Sequence, residues 1–283
     1  MIMEILLNPK TQGAITKIID APQQSVGINA PVGSGKATIA KYIADKIITL
    51  HGSVQSYISI NQPIDNKYTI EQTRQIISNI NLKPHKANTI AQIIILEDFD
   101  LMTSQVQNLF LKPIEDPTAG VMFILTYSDK QKVLPTILSR IKVLSIENIA
   151  SSSVIDYFID SYDEKAIKTA YNIANGKIGL INSILQNNQE PLLEEIEMSK
   201  TFLKSDKYNK LIITNKIAKK DIGLFLEAIA IVADSGMKNA LDKNVNQLKK
   251  WHLIRKNILF AKSLYATNGN TKLILTYLSI NIV

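Results

Sequence analysis

Apolar positions along the chain follow two regimes. Through the first half, short apolar runs alternate with stretches in which apolar residues recur every three or four positions. "SVGIN" (25–29), "SYISI" (56–60), "IIIL" (93–96), "VMFILT" (121–126) and "VLSI" (143–146) predict five strands. Between the first two, Ile39, Ile43 and Ile47 put one apolar stripe on a helix. Strands that alternate with helices imply crossovers and a parallel sheet, an α/β domain. After about residue 148 the strand pattern fades into successive amphipathic helices, with breaks expected at Gly176, Gly179, Pro191, Gly223, Gly236 and 268–270. The expected organisation is an α/β domain over 1–147, a small helical domain over 148–189 and a larger helical domain over 190–283.

The stretch "APVGSGKATIA" (30–40) falls between the first strand and the helix. A helix N-terminus carries free N–H groups and a positive dipole end, so this is where a phosphate-binding loop belongs. Gly33, Ser34, Gly35 and Lys36 stand in the order such a loop requires, glycines for the backbone curl and lysine for a charge between phosphates. Two parts are missing. Ala30 occupies the first glycine position, and Ala37 occupies that of the magnesium-binding hydroxyl; Thr38 comes one residue late, turned by about 100° on the helix. The loop is either nucleotide-binding, decayed, or a tight strand-to-helix turn.

"IIILEDFD" (93–100) ends an apolar strand in acids, as a magnesium- and water-positioning pair would need. The order is Glu97 then Asp98, the reverse of the usual one, so Glu97 overreaches a metal-bound water and Asp98 falls short of the attacking one. The same acids could instead cap the following helix. Pro113, inside a helix expected over 103–115, predicts a kink or early stop. Phe99 and Tyr127 are expected in the core, and Trp251 as an anchor of the last domain.

Composition narrows the classes. The 283 residues include no cysteine and three scattered histidines, His51, His85 and His252, which excludes disulfides and thiolate zinc modules and offers no metal-ligand spacing. No apolar run approaches the roughly 20 residues needed to cross a bilayer, and no signal segment is evident, so a cytosolic location with no membrane partner is expected. The net charge of +7 would favour polyanions if it were concentrated. Its densest runs, "KIAKK" (216–220) and "KKWHLIRK" (249–256), read first as solvated helix faces.

A third stretch brings a resemblance. "NLFLKPIEDP" (108–117), Thr126 at a strand end and "VLPTILSRI" (133–141) follow one another as in the bacterial DNA polymerase III clamp-loader subunits of the AAA+ family, where they read N-x-L-L-K-x-L-E-E-P, Thr or Ser, and L-L-P-T-I-x-S-R-C. "YTIEQTRQIISNINLKP" (68–84) and the closing "NGNTKLILTYLSI" agree as well. The resemblance covers about half the chain with order and spacing kept. It implies a three-layer P-loop NTPase-like core, a helical lid and a helical collar domain through which subunits associate.

Among these subunits the chain most resembles delta prime. The family's ATP-hydrolysing gamma/tau subunits carry an intact loop, an Asp-Glu pair and a nucleotide-sensing arginine after a G-x-x-G pattern; here "GKIG" (176–179) is followed by Leu180. The family's four-cysteine zinc module is absent, and Ile141 stands for the last cysteine of the signature, in a packing role. The resemblance implies that ATP and magnesium binding is lost or vestigial at Gly33, Ser34, Gly35, Lys36, Thr38, Glu97, Asp98 and Thr126. It also implies that Arg140, supported by Ser139, reaches in trans into the ATP site of a neighbouring subunit. Implied partners are gamma/tau ATPases, the delta subunit, the sliding clamp and primer-template DNA. Three alternatives stay open: a live gamma/tau-like ATPase using Thr38 and the swapped acids, a free-standing basic DNA-binding protein, and, for Arg140, a salt bridge within its own domain.

Overall fold

The computed structural model describes residues 5–65, 67–80, 89–186, 191–218, 222–241, 245–267 and 269–282. Parts of the segments quoted above, 81–84, His85, 219–220 and Asn268, lie outside them. The chain divides into two compact units, residues 1–153 with 177–179, and residues 154–176 with 180–283.

All five expected strands are present: β1 (Ser25–Asn29), β2 (Gly52–Asn61), β3 (Ile90–Leu96), β4 (Val121–Tyr127) and β5 (Lys142–Ser145). They form one parallel sheet in the order β2-β3-β4-β1-β5. The first unit's helices are α1 (Pro9–Asp20), α2 (Lys36–His51), α3 (Ile70–Ile80), α4 (Ser104–Glu115) and the single turn α5 (Pro135–Leu138). Period-two alternation sorts the strand residues between two cores. Ile93 and Ile95 face the α1 and α2 residues Ile15, Ile18, Ile39, Ile43 and Ile47, while Ile94 and Leu96 face Ile76, Val106, Phe110 and Ile137 on α3, α4 and α5. Because both faces are covered, the central strands β3 and β4 are nearly continuous apolar runs, whereas the edge strands β2 and β5 carry polar residues.

α4 runs through Pro113 to Glu115 without stopping early, capped at its start by the Thr103 hydroxyl, which accepts from the Val106 N–H. Ile141 is buried in the core under β1; a Cβ on Gly27 would lie 2.5 Å from its Cδ1. That contact fixes the chain between α5 and β5.

The second unit is helical: α6 (Ser151–Phe158), which begins in the first, α7 (Glu164–Ala174), α8 (Ile178–Leu185), α9 (Pro191–Lys204), α10 (Lys207–Ile217), α11 (Ile222–Leu241), α12 (Val245–Ala266) and α13 (Thr271–Asn281). Its core gathers Phe202, Phe225, Ile229, Ile258 and Leu275. One expected break is absent: α11 continues through Gly236, whereas Gly179 and Gly223 are the second residues of α8 and α11, at the helix boundaries themselves. Gly236 is a point of close approach instead, since a Cβ there would meet the Trp251 ring at 2.5 Å. Trp251 does anchor this domain, by packing on a helix that lacks a side chain where the ring lies.

Candidate functional site

Two places in the first unit hold the residues singled out from the sequence, and they lie at opposite ends of the sheet. At the C-terminal end of β1 the chain passes through Ala30, whose N–H donates to the Tyr127 carbonyl, into the glycine loop. Gly33 and Gly35 have φ of +81° and +79°, left-handed values that glycine adopts without penalty. Gly35 is the N-cap of α2 and supplies no side-chain cap, so the helix dipole faces the loop with its first N–H groups uncapped by side chains.

Lys36, the first residue of α2, is buried, and its ammonium donates to the Ser128 hydroxyl and lies 3.8 Å from Asp98 Oδ1. Burial lowers its pKa from the usual lysine value, Asp98 and Asp100 partly offset that, and nearby Lys177 adds to the lowering. The acid pair is split. Asp98 sits at φ +47°, a left-handed conformation uncommon outside glycine, and faces Lys36. Glu97 turns the other way, its carboxylate accepting from the Gln62 carboxamide at 2.9 Å. Asp98 heads a 3-10 turn over Phe99–Leu101 but its side chain makes no cap hydrogen bond, so capping does not explain the acid. Thr126 is buried and spends its hydroxyl oxygen accepting the Asp98 N–H at 3.0 Å. Thr38 is exposed, two positions and about 200° around the helix from buried Lys36.

The segment Lys177–Gly179, grouped with this unit, closes the loop from outside. A Cβ on Gly179 would lie 2.8 Å from the Gly33 carbonyl oxygen and 2.9 Å from the Gly35 nitrogen, so backbone packs closely on the loop backbone. Leu180, at the position of the missing sensing arginine, is fully buried. The sequence reading missed three residues of this cluster. Ser128 holds the lysine, Lys177 adds a second cation, and Asp100 accepts the N–H groups of Ser128 and Asp129 with one oxygen. Only the motif "TYSDK" after the strand, with Asp100 in "EDFD", could have signalled them. Among the described residues, no group of three or more histidines and acids is arranged to hold a metal.

Arg140 occupies the other end. It lies two residues before Lys142, which pairs with Val26 at the start of β1. Since β1 spans five residues, the guanidinium is roughly one strand length, about 15 Å, from its own glycine loop. Arg140 is exposed and held by its own domain: Nη1 donates to the Thr136 carbonyl at 2.9 Å and the Ser139 hydroxyl at 3.3 Å, and Nη2 to Glu115 Oε1 at 3.1 Å. The salt bridge kept open as an alternative therefore exists, between side chains 34% and 60% exposed. Ser139, also exposed, bonds back to the Thr136 carbonyl and so fixes the arginine's approach.

The segment that carries Arg140 is pinned by a residue the sequence reading passed over. Gln107, 1% exposed, donates to the carbonyls of Met102 and Lys132 and accepts the Leu134 N–H at the start of α5. These bonds tie α4 to the loop that leads into the Ser139–Arg140 turn.

A sheet in this order, with a glycine loop leading into the helix after its first strand, defines a parallel-sheet P-loop NTPase-like protein of AAA+ type, followed by a helical region. Residues 49–150 match the family model described as "DNA polymerase III, delta subunit". The chain is 25% identical over 240 residues to the DNA polymerase III subunit gamma of Buchnera aphidicola subsp. Schizaphis graminum, covering 70% of this chain and 65% of that protein. It is 24% identical over 254 residues to the gamma/tau subunit of Mycoplasma genitalium, covering 83% of this chain and 42% of the other. A solved gamma subunit-related protein of Thermotoga maritima shares the fold at a TM-score of 0.59 and 17% identity, over 96% of this chain and 98% of that one. The sequence matches are thus to DNA polymerase III gamma and gamma/tau subunits, and the solved structure shows the shared fold. The chain spans 42 to 65% of the length of these two relatives.

Proposed function

We propose that the chain is a clamp-loader subunit of delta prime type, one that does not turn over ATP and offers Arg140 to the ATP site of an adjoining gamma/tau subunit. The observation that carries the reading is the contrast between the two ends of one strand. The loop's lysine is already bonded to Ser128 and paired with Asp98, while the exposed arginine lies too far from that loop to serve it. Against Mg-ATP binding stand the lysine bound to Ser128, Ala37 at the hydroxyl position, Glu97 tied to Gln62 and Gly179 close to the loop backbone. A guanidinium offered from a neighbour stabilises charge on the γ-phosphate through its planar fork, which lysine lacks. The small helical segment over 148–189 would act as lid and 190–283 as the collar that joins the subunits.

The decisive experiment is calorimetric titration of the chain with ATP and magnesium, alongside an ATPase assay. No hydrolysis and no micromolar binding are expected; either would favour the second reading, an active gamma/tau-like ATPase, to which the gamma and tau names of the matched relatives lend support. A free-standing DNA-binding role has less behind it, since basic residues such as Arg255 and Lys262 are paired with Asp234 and Glu227. Among the described residues no helix is long and apolar enough to cross a membrane.

A further inference from the structure

Beside Arg140 lies a cavity of about 580 Å³, lined by Gln23, Gln24, Ser25, Ile114, Glu115, Ser139 and Arg140. Two of its features bear on a ligand. Gln23 and Gln24 bring two exposed carboxamides to the same rim. The guanidinium directs Nη1 at Thr136 and Ser139 and one side of Nη2 at Glu115, and Nε has no partner among the described residues.

We propose that this cavity is an anion site for a phosphate group and that Glu115 is its built-in competitor, holding the Arg140 fork until a phosphate displaces it. The inference rests on the reading of Arg140 as an arginine offered to a neighbour's nucleotide, and adds the residues that receive the phosphate and the one that withholds the arginine. A carboxylate presents two oxygens to a guanidinium much as a phosphate edge does, so the two compete for the same N–H groups. The doubly charged phosphate wins because the Glu115 pair is largely solvated, and such pairs contribute only about 0.2–1 kcal/mol. The Gln23 and Gln24 carboxamides on the rim supply donors that Glu115 leaves unused. Until a phosphate arrives, the carboxylate keeps the arginine extended along α4 and away from other anions.

The test titrates the full-length chain with inorganic pyrophosphate in a Lys36→Met background, which removes the glycine-loop lysine, and follows the Arg140 Nε–H resonance. Glu115→Gln is expected to tighten pyrophosphate binding about two- to fivefold, the factor that corresponds to an exposed ion pair. Gln23→Ala and Gln24→Ala together are expected to weaken it about fivefold, with thermal stability unchanged because both side chains are exposed. An unshifted Nε–H signal at saturating pyrophosphate, an equal response to succinate, or Glu115→Gln binding that is unchanged or weaker would overturn the proposal. Neighbour turnover in the reconstituted complex separates it from the reading beneath it. Loss of turnover in Arg140→Ala with no gain in Glu115→Gln sinks the competitor alone. Unchanged turnover in Arg140→Ala, with pyrophosphate binding as expected, sinks the in-trans role and leaves the anion site standing.

Discussion

The two ends of β1 carry the same kinds of groups, a cation, a hydroxyl and a carboxylate, and use them in opposite ways. At the C-terminal end Lys36 is buried, bonded to Ser128 and paired with Asp98, and the loop backbone is covered by Gly179. At the N-terminal end Arg140 is exposed and its carboxylate partner is more exposed still; each end also holds a buried serine hydroxyl without a partner, Ser34 in the loop and Ser25 on β1. Buried polar groups that satisfy one another have little left to offer a ligand, whereas exposed ones held by weak pairs can exchange partners cheaply. On the proposed reading, the sequence pattern for phosphate binding marks the end whose lysine is already paired, and a single arginine marks the end offered to a neighbour.

The largest effect that could break this contrast is expected from Arg140→Ala in a reconstituted loader. Turnover by the neighbouring ATPase should fall by about 10³ to 10⁵, the range for such arginines, while size-exclusion chromatography shows the assembly intact. Turnover at the unmodified level would remove the functional half of the comparison.

Next comes the support beneath the arginine. Gln107→Leu strips three hydrogen bonds from a buried site and leaves the Leu134 N–H and two carbonyls without partners. A loss of about 2–4 kcal/mol in chemical denaturation is expected, with a smaller fall in neighbour turnover; Gln107→Glu, which keeps an acceptor for Leu134, should recover part of both.

Gly179→Val tests the closure of the other end. The new Cβ would meet backbone atoms of Gly33 and Gly35, which cannot rotate away, so Lys177–Gly179 must shift. Destabilisation by about 1–3 kcal/mol is expected, with faster amide exchange at residues 33–36. Unchanged exchange would mean that the segment does not seal the loop.

The smallest effect, of opposite sign, is expected from Lys36→Met. A buried charge replaced by an apolar chain of similar length should leave stability unchanged or raise it by about 1 kcal/mol at neutral pH, because Asp98, half exposed, can rehydrate. The sign with pH follows from burial. Lys36 gives up its proton more readily folded than unfolded, so between its lowered value and the usual 10.5 the unfolded chain binds more protons and stability rises with pH. Lys36→Met should flatten that rise, and thermal midpoints across the alkaline range measure it.

Local pattern made much of the fold legible. All five strands appear where apolar runs fall, because a parallel sheet covered on both faces needs such runs and little else in the first half of the chain supplies them. Helix breaks were less legible. Gly236 looks like punctuation, yet α11 passes through it, since the Trp251 ring packed there and a core that includes Phe225 outweigh a propensity cost of about 1 kcal/mol. At the candidate site, the sequence picked out Arg140, Ser139 and the glycine loop from their motifs and passed over Gln107, Ser128 and Glu115 as partners. Those three act through contacts between residues 92, 27 and 25 positions apart.

By itself the sequence determined the parallel sheet, the left-handed glycine loop at the head of α2, the missing hydroxyl beside Lys36 and the turn that displays Arg140. Each follows from short-range rules: side-chain alternation, positive φ at glycine, and residue order on one helix turn. Tertiary structure alone decided that Lys36 is spent on Ser128, that Gly179 lies on the glycine loop and that Glu115 holds the arginine. Competition among polar groups for partners is settled by which side chains the packed sheet and helices bring within hydrogen-bond reach, and a linear pattern carries no measure of that distance.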